Sequence, residues 1–179
     1  MLAAVAVVGC TNTDDPPPFF DMDYQVRCKG DCNNAFDDKA RTISHLDAED
    51  GYSVSCNVSG AGSERVMNAS FHCPGDSADC GGDYSFELAN VFIGGNDPGA
   101  VCRVYVAEGA NIYEGECTAT DPSADKPCQV IIEEDGGDVS GTVMCVNIPN
   151  AVNQSQRRGV FSPGSESAAV FHIMNCTEL

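Results

Sequence analysis

The chain has no tryptophan, only three histidines in 179 residues, and nine Lys and Arg against 27 Asp and Glu. Each shortage excludes something. A formal charge of −18, spread along the chain rather than held in one tail, repels phosphate, so the surface is not built for nucleic acid or anionic lipid headgroups. Without tryptophan, sugar stacking falls to the five tyrosines, and Tyr105 is the one whose strand position points outward, a thin basis for a glycan site. No HExxH or similar ligand spacing surrounds His45, His72 or His172. His72 and His172 alternate with apolar neighbours as solvent-facing strand residues do. There is no G-x-S-x-G elbow. Gly75-Asp76-Ser77 continues as Ala-Asp-Cys where a chymotrypsin-like serine is followed by two glycines, and Gly164-Ser165-Glu166-Ser167 fails the same test. No amphipathic stretch of ten or more residues reads as a helix beyond Tyr52, which removes the strand-loop-helix setting of a phosphate loop. The apolar run Leu2 to Val8 is far too short to span a bilayer.

Cysteine, by contrast, is abundant: positions 10, 28, 32, 56, 73, 80, 102, 117, 128, 145 and 176. The Cys28 to Cys32 spacing lacks the two-residue gap of thioredoxin-like redox sites, and no second close pair suggests a zinc cluster, so structural disulfides are the favoured reading. A chain of this length buries roughly two-thirds of its surface, and the bridges reinforce a core rather than replace it.

From Tyr52 onward the pattern is strand after strand. Tyr52 to Val58 alternates with period two, Val66 to Cys73 follows a Gly/Ser-rich turn, and Tyr84 to Leu88 leads into Val91-Phe92-Ile93 before a Gly/Asn/Asp/Pro break. Earlier, Asp21 to Asp50 is weakly patterned, and Phe36 to Leu46 reads as a short helix or an irregular strand. Asn150 to Ser167 reads as a polar loop, and Ala168 to Cys176 as a last strand. Short strands with Gly/Pro/Asp turns and little helix predict an all-β fold, a disulfide-braced antiparallel β-sandwich of jelly-roll or Ig-like type, as one domain over residues 23–179.

Two segments share C-x-V-x-[VI]-x-E: Cys102 to Glu108 and Cys128 to Glu134. Each leads through a turn to a strand with a glycine before a closing cysteine. Counting outward from Gly136-Gly137, a primed-turn signal, sets Asp135 against Asp138, Ile132 against Gly141, Val130 against Val143 and Cys128 against Cys145. The last is a non-hydrogen-bonded pair with Cα atoms ~4.5 Å apart, inside disulfide range. The same count around Gly109-Ala110 sets Cys102 against Cys117 at a hydrogen-bonded pair. The remaining cysteines, 28, 32, 56, 73, 80 and 176, are assigned to bridges without partners.

At the other end, Val7-Val8-Gly9-Cys10 follows the apolar run and precedes an abruptly polar, proline-rich stretch, Thr11 to Pro18. These residues resemble the lipobox of bacterial lipoproteins. The resemblance implies that residues 1–9 are a signal peptide, here without its basic n-region, that Cys10 is acylated with several chains, and that the protein is held at a membrane. Lipidating Cys10 leaves ten thiols, an even set suited to an oxidising compartment. Residues 10–22 then read as a lipidated, semi-rigid tether, and the location as the cell envelope, an outer membrane or the extracellular surface.

Three functions remain open. The first is a non-catalytic binding, adhesion or structural module for a protein or glycan, membrane-anchored and without nucleic acid. The second is a small hydrolase or metal-dependent enzyme in which His72 or His172 converges with carboxylates. The third is a protease inhibitor presenting the loop between Cys73 and Cys80. Calcium is the one cofactor considered, through Asp21 and Asp23 or Glu133, Glu134, Asp135 and Asp138, although neither group forms a full binding loop. N-x-[ST] sequons stand at Asn57, Asn68, Asn153 and Asn175.

Overall fold

The computed structural model describes residues 16–28, 39–76, 82–94, 101–109, 111–135, 138–151, 157–161 and 168–179. In chain order the strands are β1 (Phe19–Cys28), β2 (Lys39–Leu46), β3 (Ser53–Ser59), β4 (Val66–Cys73), β5 (Tyr84–Phe92), β6 (Arg103–Glu108), β7 (Asn111–Thr118), β8 (Cys128–Asp135), β9 (Asp138–Pro149), β10 (Arg157–Phe161), β11 (Ala169–Met174) and β12 (Thr177–Glu178). Among the described residues no α-helix occurs, only short 3₁₀ turns at Glu49–Gly51 and Gly62–Glu64. The cause is the period-two pattern. In β1, Phe20, Met22, Tyr24 and Val26 are buried while Asp21, Asp23, Gln25 and Arg27 alternate on the other face. In β11, Ala169, Phe171 and Ile173 are buried and Val170, His172 and Met174 point out.

All strands belong to one sheet, ordered β2-β1-(β11, β10)-β9-β8-β7-β6-β5-β4-β3-β12. β11 pairs with Phe19 to Met22 of β1, and β10 with Gln25 to Cys28, so two short strands lie end to end in one row between β1 and β9. The sheet curls until its inner face meets itself. Phe20 lies 6.0 Å, centre to centre, from both Phe71 and Phe86, and Tyr24 lies 5.8 Å from Phe86, bringing β1 against β4 and β5. The buried apolar side chains form one cluster. Burial of a phenylalanine such as Phe20, Phe71, Phe86 or Phe171 contributes on the order of 2–3 kcal/mol, so these rings dominate the drive to curl.

Two features differ from the expected antiparallel architecture. The sheet is continuous and mixed: β7 joins β8 in parallel through Cys117↔Cys128 and Thr118↔Gln129, and β12 joins β3 in parallel. Parallel neighbours ordinarily need a long crossover. Here only the end of β7 meets the start of β8, so the link 119–127 turns a corner without retracing a strand.

The body also begins earlier than the expected boundary at residue 23. Phe19 to Met22 form the first part of β1, with Phe20 and Met22 in the core, so packing begins at Phe19-Phe20, where the proline-rich spacer ends in the sequence, and not at residue 23. Lys39 to Leu46 is a regular strand, not a helix, and β10 lies within the stretch read as a polar loop.

Bridges stitch the curl. Cys128 and Cys145 face each other with Cα atoms 4.0 Å apart, and Cys102 and Cys117 with Cα atoms 5.0 Å apart; both pairs are disulfides. The difference follows from ladder position, because the Cys117 N–H donates to the Cys102 carbonyl at 2.9 Å and hydrogen-bonded pairs stand wider. Since Cys117 also lies beside Cys128, the four cysteines form one row across β6 to β9. A third bridge, Cys56–Cys176, fastens the chain after β11 onto β3 on the far side of the curl. Cys73 is disulfide-bonded as well. Cys10, Cys32, Cys80 and the side chain of Cys28 lie outside the described residues, as does the second half of the Cys73 to Cys80 loop, residues 77–80. Gly141 sits where a Cβ would come within 2.3 Å of the Ile131 carbonyl oxygen and 2.7 Å of Phe171, so the β8–β9 hairpin can pass beneath that ring only without a side chain there.

Candidate functional site

Most of the polar groups enclosed by the curl hold it together. Arg41, on β2 beside Tyr24, reaches across the interior to β6, where its Nε donates to Glu108 Oε1 at 3.0 Å and its Nη2 to Oε2 at 2.6 Å. The guanidinium lies 4.2 Å from the centre of the Tyr84 ring. Hydrogen bonding to Glu108 raises the Arg41 pKa against an opposing effect of burial. Arg65 repeats the device in the opposite sense. Leading into β4, it reaches Glu134 of β8 at 2.6 Å and Glu178 at 3.3 Å. Each half of the curl thus supplies one arginine and receives one.

Burial first, then the charge of Glu108, raises the Tyr24 pKa well above 10.0; the hydroxyl feels that carboxylate without meeting hydrogen-bond geometry. Tyr84 is raised for the same first reason. The sign follows from linkage. A tyrosine that ionises near pH 10 in the unfolded chain and later in the folded one leaves stability intact below pH 10 and drains it above, by up to about 1.4 kcal/mol per pH unit for each group. Tyr24→Phe is therefore expected to leave the stability at pH 7 little changed and to flatten its decline above pH 10. Urea unfolding from pH 8 to 11 measures this, and an unchanged alkaline slope would contradict the assignment.

The histidines are kept apart. His45 turns inward and stacks on Tyr52, with ring centres 3.7 Å apart. His72 is exposed on β4, its Nδ1 3.7 Å from Asp83 Oδ1. His172 is exposed on the outer face of β11, in register between Asp21 of β1 and Ser140 of β9. That row has the residue types of a hydrolytic triad, yet among the described residues no hydrogen bond or ion pair links its members. The acidic segments weighed for calcium are partly engaged elsewhere: Glu134 with Arg65, and Asp138 Oδ1 as acceptor of the Asn175 N–H at 3.3 Å. Among the described residues no group of three or more His, Cys, Asp or Glu is gathered to hold a metal.

Among the described residues, a cleft of about 500 Å³ is lined by Arg103, Glu114, Gly115, Glu116, Pro149, Asn150 and Ala151. It lies where β7 changes partner. The early part of β7 is met by the chain leaving β9, through Tyr113↔Asn150 and the Ala151 N–H donating to the Ile112 carbonyl at 2.7 Å. Its last residues, Cys117 and Thr118, are met by β8. Between them, no described strand pairs with Glu114, Gly115 or Glu116 on this side. Gly115 is confined from within, since a Cβ there would come within 2.8 Å of the Pro127 ring and 3.3 Å of the Cys128 sulfur.

Asn150, 1% exposed, forms one wall, its Nδ2 donating to Asn111 Oδ1 at 3.4 Å. Arg103 Nη1 donates to Glu114 Oε1 at 3.2 Å. Glu116 faces Arg103 across the ladder but makes no ion pair among the described residues. Tyr105 stands opposite Glu114, half-buried, and burial followed by the charges of Glu87 and Glu114 raises its pKa. None of these cleft residues carries a sequence motif. The one available signal is the exposed Glu114-Gly115-Glu116 alternation beside Arg103, but the partner change that opens the cleft is a property of the tertiary pairing. No family model matches the chain, and no curated protein or solved structure matches it at a significant level.

Proposed function

We propose that the protein is an extracytoplasmic lipoprotein, anchored through an acylated Cys10, whose curled sheet acts as a non-catalytic binding or adhesion module. In this reading the curl is a jelly-roll or Ig-like sandwich whose two layers remain joined through β7 and β8. The carrying observation is a cleft in which the charged side chains of Arg103, Glu114 and Glu116 flank a stretch of strand backbone that no described strand pairs with on that side. Such a combination of charge and open backbone suits recognition of a ligand. The cross-strand disulfides support an oxidising location.

Intact-mass analysis of the membrane fraction, before and after reduction, tests the reading. The expected result is an acyl mass mapping to Cys10 and a gain of two hydrogens for each of five bridges. An unmodified Cys10 in a soluble fraction, or turnover in hydrolase screens, sinks it.

A further inference from the structure

The chemistry of the cleft points beyond a generic binding surface. Building on the binding-module reading, we infer that the cleft beside β7 binds a basic, extended peptide segment, with a lysine or arginine side chain on Glu116 and the peptide main chain along Glu114 to Glu116.

Four observations converge. First, the charges in the cleft are unevenly matched. Arg103 is drawn diagonally to Glu114 at 3.2 Å, which leaves the Glu116 carboxylate, directly opposite Arg103, without a cation among the described residues. A cationic side chain completes the set, whereas an anion meets two carboxylates. Second, the backbone is strand-like and, among the described residues, unpaired on this side. The pairing of β6 with β7 directs the main-chain groups of Ile112, Glu114 and Glu116 toward the cleft side, and the Ile112 carbonyl already accepts from Ala151 in that way. The interval beyond Ile112, three residues at ~3.4 Å each, accommodates a peptide of about three residues by strand addition.

Third, the walls suit a peptide. The Pro149 ring offers an apolar surface for the aliphatic stem of a lysine or arginine, and Asn150, held by Asn111, backs the cleft. Fourth, the field favours approach. With a net charge of −18, and with Glu87 opposite Tyr105 beside the cleft, a cation is steered in and an anion turned away.

The test is a titration of the full oxidised chain, followed by amide chemical shifts, using acetyl-Val-Arg-Val-amide, its citrulline analogue and the neutral disaccharide lactose as probes. The expected result is movement of the Glu114, Gly115, Glu116 and Ala151 amides and of the Asn150 side chain with the arginine peptide, and weaker movement with the citrulline analogue. Glu116→Gln is expected to weaken binding about two- to fivefold at low salt, in line with a partly exposed ion pair, and the gap to the parent is expected to narrow as salt is raised. Arg103→Gln is expected to tighten it, because it releases Glu114 to the incoming cation. A ligand that used the guanidinium would do the reverse.

Both variants are surface changes, and the dispersion of their spectra reports folding directly. A silent titration with the arginine peptide, or weaker binding in Arg103→Gln, overturns the inference. Shifts with lactose alone overturn the ligand class while the binding-module reading stands. Cleavage of the peptide, seen by mass, removes that reading too.

Discussion

Alanine at both Cys56 and Cys176 is expected to lower the stability of the oxidised protein by about 4–5 kcal/mol, a larger loss than opening either hairpin bridge. The two cysteines are 120 residues apart, against 15 for Cys102–Cys117 and 17 for Cys128–Cys145. A disulfide restricts the unfolded chain by closing a loop, so the stabilisation grows with the logarithm of loop length, from about 3 kcal/mol for the hairpins to nearly 5 for the long loop. Both hairpin bridges lie inside that long loop and shorten it in the unfolded state. Because the dependence is logarithmic, this trims the figure for Cys56–Cys176 only slightly. Urea unfolding under non-reducing conditions, with Cys128→Ala/Cys145→Ala alongside, measures the ranking. Equal losses for the long and short bridges would show that strand packing alone holds β12 and the preceding chain on β3.

The second large effect is expected at Glu108. Glu108→Gln leaves the Arg41 guanidinium enclosed without its carboxylate, since the two side chains are only 15% and 4% exposed. Removing one member of a buried pair costs about 3–5 kcal/mol, while replacing both by apolar groups of similar size is far milder. Arg41→Met combined with Glu108→Leu is therefore expected to recover most of the loss. A double-mutant cycle by urea unfolding reads the coupling. If Glu108→Gln unfolds within about 1 kcal/mol of the parent, the pair is solvent-screened and does not clamp the curl.

Local periodicity made much of this architecture legible. The hairpin from Cys128 to Cys145 follows from two glycines and a count, because register in a hairpin is fixed by its turn and side chains alternate strictly. Asp135↔Asp138, Ile132↔Gly141 and Val130↔Val143 all stand where the count puts them. Phe19-Phe20 mark where packing begins, and β1 carries the same signal in Phe20, Met22, Tyr24 and Val26, but the acidic and polar residues between them make the pattern from Asp21 onward read as weak. What the pattern lacks is the partner of each strand. Alternation in β7 says that Glu114 and Glu116 face out; it does not say that β9 meets one end of the strand and β8 the other. The cleft arises from that exchange, so it is visible only once non-local pairing is known. Arg41–Glu108 is hidden for the same reason, being 67 residues apart in the chain.

The spacing of the bridges also sets an order of events during maturation. Hairpins form in microseconds and closing a short loop is entropically cheap, so the paired sulfurs of Cys102–Cys117 and Cys128–Cys145 are aligned early. Cys56 must wait until the chain leading to its partner, 120 residues on, has collapsed and β11 has taken its place against β1 and β9. During that interval a thiol near each margin of the nascent body stays open to exchange, and an isomerase acting on this protein has its work there rather than in the hairpins.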